Sequence, residues 1–81
     1  MSRRPVKHSV TLNGHRTSVS LEDEFWNALR DIAAREKTTM HALITEIDVA
    51  RGSDIGLATA LRLFVLNDLQ TRLSGSQTDA R

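Results

Sequence analysis

Between residues 16 and 33 the sequence reads RTSVSLEDEFWNALRDIA. Its apolar side chains first fall on every second position, at Val19 and Leu21. They then fall on every third or fourth, at Phe25, Leu29, Ile32 and Ala33. A period of two places alternate residues on one face of a strand, whereas a period near 3.6 places them along one stripe of a helix. Only Glu22, Asp23 and Glu24 separate the two patterns, so the chain must pass from strand to helix with almost no loop. The three acids also fit that junction, because negative charge in a first helical turn complements the positive end of the helix dipole. Ser20 and Asp23 have the spacing of a capping box, which would add hydrogen bonds at the same point.

Upstream, KHSVTLNGHRTSVSL contains Asn13-Gly14, the dipeptide most suited to a type I′ hairpin turn. With Leu12 and His15 flanking the turn, Val10 faces Thr17, His8 faces Val19, and Val6 faces Leu21 on one side. The other side then carries Thr11, Arg16, Ser9, Ser18, Lys7 and Ser20. A one-residue slip would destroy this segregation of apolar from hydroxyl-rich and basic side chains. The alternative is a flexible arm over residues 1–14, and residues 1–5 are expected to be flexible in either case. Charge favours contact with a polyanion: residues 1–16 hold Arg3, Arg4, Lys7 and Arg16 with no acid, a charge of +4, against −3 for residues 17–81.

Downstream, the first helical pattern stops near Lys37, with Trp26 off the centre of its stripe. Thr38 and Thr39 offer hydroxyls for an N-cap, and Met40, Leu43, Ile44 and Ile47 supply a second buried stripe. RGSD breaks that helix, with Gly52 suited to a left-handed position and Ser53 or Asp54 to capping a third helix over roughly residues 54–71. The centre of the third helix, ALRLFVL, is apolar almost all the way round, which predicts a position between chains. The final SGSQTDAR has no periodicity and is expected to be disordered.

These elements describe an α+β, mostly helical chain with one domain over residues 1–73 and a tail over 74–81. At 81 residues, a single chain buries only about 60–65% of its unfolded surface, so association with a second copy is expected. There is no cysteine, and His8, His15 and His41 lack the spacing of a zinc motif. No metal or other cofactor is expected. No apolar run is long enough to span a bilayer, and MSRRPVKHSV lacks the apolar core of a signal peptide, so the expected location is cytoplasmic. No pairing of nucleophile and base, metal cluster or glycine-rich phosphate loop can be assembled, so an enzyme is not expected.

Over residues 16–49 the sequence resembles the ribbon-helix-helix family, which includes the Arc repressor. The specific part is RTSVSLEDEFWNALRDIA. SVTLNGHRTSVSL and GLATALRLFVL resemble a short bacterial subgroup with an added N-terminal strand and a third helix. The resemblance implies a homodimer, with further pairing of dimers left open, whose paired strands read double-stranded DNA as a transcriptional repressor or regulator. It implies base contacts from Arg16, Ser18 and Ser20, a phosphate anchor at Thr39 and Met40, and phosphate contacts from Arg3, Arg4 and Lys7. It also places Val19, Leu21, Leu61, Phe64 and Val65 at the dimer interface. Two alternatives remain open: a sensor of a small anionic or amino-acid effector held by Arg16 or Arg62, and a protein-interaction or antitoxin-like partner.

Overall fold

The computed structural model describes residues 4–79, with side chains described through residue 74; Arg3 lies outside them. Asn13 and Gly14 adopt φ of 54° and 77°. A type I′ turn needs both values positive, and its twist matches that of the strands it joins. Strand β1 (Val6–Leu12) therefore returns directly onto β2 (His15–Leu21). Leu12 pairs with His15, Val10 with Thr17, His8 with Val19 and Val6 with Leu21, the register expected from the alternation. β1 is thus a paired strand rather than an arm. Leu12, Val19 and Leu21 are buried and Val10 packs beside them, whereas Lys7, Ser9, Arg16, Ser18 and Ser20 are exposed.

Helix α1 (Asp23–Arg35) follows β2 at once, with Glu22 in the N-cap position. The capping box from Ser20 does not form. Pairing with Lys7 keeps Ser20 in the strand, and Glu22 makes no side-chain cap bond because its carboxylate accepts from Arg62 instead. Leu29, Ile32 and Ala33 form the buried stripe, with Phe25 and Ala28 packed against it. The helix ends with Lys37 N–H donating to the Ala34 carbonyl at 3.1 Å and Thr38 N–H to that of Ala33 at 2.9 Å. Lys37 occupies the left-handed position of this Schellman motif at φ 57°.

Helix α2 (Met40–Arg51) is capped by Thr39, whose Oγ1 accepts from the Ala42 N–H at 3.0 Å. It buries Leu43, Ile44 and Ile47. Gly52 then turns the chain at φ 71°. Arg51 holds the loop that follows, donating to the Gly52 and Ile55 carbonyls and to Asp48. With residues 52–55 tied down in this way, helix α3 (Leu57–Asp79) begins later than residue 54. It also runs beyond residue 71, through positions 74–79 where no structure was expected. Each residue added to an existing helix gains a hydrogen bond without a new nucleation cost, so weak patterning does not by itself end one.

Because α3 is apolar nearly all round, its periodicity does not reveal which side meets the core. Ala60, Leu61 and Val65 are the residues it buries, with Leu57, Ala58 and Phe64 alongside. Val19, Leu21, Leu61 and Val65, the residues expected at a dimer interface, are buried within the single chain, and Phe64 is partly buried against the same core. The helices cover the apolar face of the hairpin and leave the polar face open. Trp26, off the α1 stripe, stacks on His8 with ring centroids 3.7 Å apart and planes within 3°, which fastens β1 to α1. Among the described residues, no helix is long and apolar enough to cross a membrane.

Candidate nucleic-acid interface

The pleat of the hairpin decides which side chains point away from the helices. With Val19 and Leu21 turned inward, Arg16, Ser18 and Ser20 must point outward from β2. The register sets Thr11 opposite Arg16, Ser9 opposite Ser18, and Lys7 opposite Ser20. The open face therefore consists of hydroxyls and two cations, with neither an acid nor a large apolar group. Arg4, just before β1, is exposed. Of the four cations among residues 1–16, two lie on this face and one at its margin, while Arg3 falls outside the described residues.

A second polar feature is the start of α2. Thr39 satisfies the Ala42 N–H with its side chain and the Leu43 N–H with its carbonyl, at 3.0 Å each. Of the four N–H groups that a helix start leaves without an intrahelical acceptor, those of Thr39, Met40 and His41 remain. Such donors suit a phosphate oxygen. The Met40 side chain does not take part, since it packs against the core. A cleft of about 230 Å³ lies beside this helix start, lined by Thr11, Leu12, Trp26 and His41 among others.

Arg62 is occupied elsewhere. Its Nε and Nη2 donate to the two carboxylate oxygens of Glu22 at 2.9 and 3.2 Å, a two-pronged pair that closes α3 onto the start of α1. Its guanidinium also lies 5.9 Å from the centre of the Phe25 ring. The hydrogen bond from Arg62, reinforced by the backbone N–H of Glu22, holds this carboxyl below the usual carboxylate range. Two of the five Arg62 donors are thus taken up by Glu22.

A family model described as a ribbon-helix-helix domain matches residues 5–69. The chain belongs to the ribbon-helix-helix family. No curated protein and no solved structure matches it. Ribbon-helix-helix domains commonly bind DNA and typically dimerise. In this ribbon-helix-helix chain the match takes in the strand β1 and most of α3, so both additions to the strand-helix-helix core are part of the domain. Two features of the site had little or no trace in the sequence. The stack of His8 on Trp26 left one weak signal, the position of Trp26 off its helix stripe. The pairing of Glu22 with Arg62 left none, because the partners are 40 residues apart.

Proposed function

We propose that this protein is a dimeric DNA-binding regulator that lays the polar face of its hairpin on the duplex. The observation that carries this reading is the open sheet face itself: Lys7, Ser9, Thr11, Arg16, Ser18 and Ser20 share one side in a fixed register, with no acid among them. Two chains meeting along their β2 edges would set two such faces side by side. Arg16 is the one outward residue of β2 able to donate two hydrogen bonds to guanine O6 and N7, and the serines are short groups able to donate or accept.

The full pairing of β1 with β2 limits how this surface meets DNA. Two hairpins joined along β2 make four strands, whose outer axes lie about 14 Å apart at the usual strand spacing. The major groove is about 12 Å wide, so the sheet does not enter flat. In the arrangement we favour, the central β2 strands lie over the groove and Arg16 reaches the bases. The flanking β1 strands ride above the phosphates, where Lys7 and the segment containing Arg3 and Arg4 neutralise charge. The start of α2, at Thr39 and Met40, supplies a backbone anchor to a phosphate.

The test is a binding titration against a selected site and against random duplex, at several salt concentrations. Arg16→Ala should weaken the selected site by about 1–3 kcal/mol and random DNA much less. Lys7→Ala should weaken both alike and lower the salt slope by about one. An Arg16→Ala protein that binds both DNAs as the parent does would remove the sheet face from the interface. The effector-sensor reading is weakened by the commitment of Arg62 to Glu22. It would return if Arg16→Ala abolished binding of a small carboxylate and left DNA binding intact.

A further inference from the structure

The turn decides which backbone groups the hairpin uses. Leu12 and His15 are its first and last residues and so form a hydrogen-bonded pair. In an antiparallel ladder such pairs alternate with pairs whose N–H and C=O groups point away from each other. Lys7, Ser9 and Thr11 therefore turn their backbone donors and acceptors to the outer edge of β1, as Arg16, Ser18 and Ser20 do at the edge of β2. The sheet has two strands, so among the described residues no strand lies beside either edge. A row of unpaired groups of this kind is a template for one more strand.

The β1 edge differs from the β2 edge in having the cleft of about 230 Å³ beside it. Residues of β1, α1 and α2 line this cleft and residues of β2 do not, so it opens on the β1 side of the sheet. Val10, Leu12, Trp26, Met40 and Ile44 make its wall largely apolar. We propose that the β1 edge and this cleft together bind an extended segment of another protein, added antiparallel to β1, with a large apolar side chain in the cleft and an acid three positions further on. The alternation of a strand dictates that pattern. Side chains opposite Lys7, Ser9 and Thr11 fall on the open face, whereas the one opposite Val10 falls on the side of the cleft. Running antiparallel, the segment reaches Lys7 three residues after Val10. Lys7 is exposed there and residues 1–16 contain no acid, so a carboxylate is matched at that position and a cation is repelled. A small apolar molecule would fill the cleft but leave the edge donors unpaired, and a duplex would cover the open face but leave the cleft empty. An added strand uses both, its main chain supplying affinity and the pocket selectivity.

Binding at this edge requires neither the β2 edge nor DNA, so it and the DNA-binding reading can fail separately. Where both hold, segment and duplex compete, because they share Lys7. The probe is a synthetic peptide of seven residues, the length of β1, with a leucine, a glutamate three positions after it, and threonine elsewhere. It is titrated into the full chain without DNA and followed by the emission of Trp26, the one tryptophan of the sequence, which lines the cleft. Alanine in place of the leucine should weaken binding about ten-fold or more. Methylating the peptide nitrogen opposite Ser9 should abolish binding, whereas methylating the one opposite Val10, which points away from β1, should change it by no more than about two-fold. In Lys7→Glu, with its fold checked by circular dichroism, the preference should reverse in favour of a peptide carrying lysine in place of glutamate. Equal binding of the two methylated peptides, or of the leucine and alanine peptides, would overturn the proposal. So would no binding at all, including the case in which sedimentation shows a second copy of the chain already on this edge.

Discussion

Glu22 shows how much one residue can be asked to do where two elements meet. It occupies the N-cap of α1, and it receives both prongs of the Arg62 guanidinium from α3. Its carboxyl is held below its ordinary pKa, so it binds fewer protons folded than unfolded near that range. The resulting stability is present above the unfolded carboxylate value, near pH 4.3, and is lost as pH falls through the lower folded value. In Glu22→Gln this contribution disappears, so the acid limb of a plot of Tm against pH should be flatter than in the parent; superimposable limbs would refute the linkage. Thr39 has a simpler task, accepting from the Ala42 N–H. Thr39→Ala should cost about 1 kcal/mol by denaturant titration, the usual loss of an N-cap. The sequence located Thr39 correctly because a cap acts within its own turn.

At the scale of elements, β1 is the unexpected contributor. Its sequence was compatible with either an accessory arm or a strand, but the hairpin buries Leu12, partly buries Val10, and stacks His8 on Trp26. Fully burying a leucine contributes about 1.5–3 kcal/mol and partly burying a valine contributes less, so a chain starting at Asn13 should lose about 2–4 kcal/mol. For a domain of this size each kcal/mol moves Tm by about 4–8 °C, so the shortened protein should melt on the order of 10 °C or more below the parent. A change of only a few degrees in a thermal scan would restore the arm reading. The same strand links stability to the proposed function, because it positions Lys7 beside Ser20 on the open face.

At the scale of the whole molecule, the core is one cluster that draws on the hairpin and all three helices, with Leu21, Leu29, Leu43, Ile44 and Leu61 its largest fully buried side chains. A charge placed at its centre has no partner there, since the described core contains no buried polar or charged residue. Leu61→Asp should therefore cost on the order of 4–5 kcal/mol. At about 0.05–0.15 kcal/mol per residue, this is comparable with the entire stability of such a chain. Circular dichroism should show an unfolded or aggregated protein. A folded one would mean that Leu61 faces a partner, as the sequence alone had suggested.

The hairpin, its register, the stripes of α1 and α2 and the cap at Thr39 were legible without coordinates. Each depends on a local rule: a turn that needs positive φ at Asn13 and Gly14, a period of two or 3.6, a hydroxyl one position before a helix. The outward identity of Arg16, Ser18 and Ser20 followed from the same alternation. The tertiary structure decided the rest. It chose which side of the uniformly apolar α3 meets the core, and so moved Leu61 and Val65 inward and left Leu63, Leu66, Leu69 and Leu73 outside. It also paired Glu22 with Arg62, held Arg35 to Asp68, and laid His8 on Trp26. Periodicity gives a helix a direction only when one side is polar, and contacts between distant residues leave no local spacing to read. Packing alone settles both.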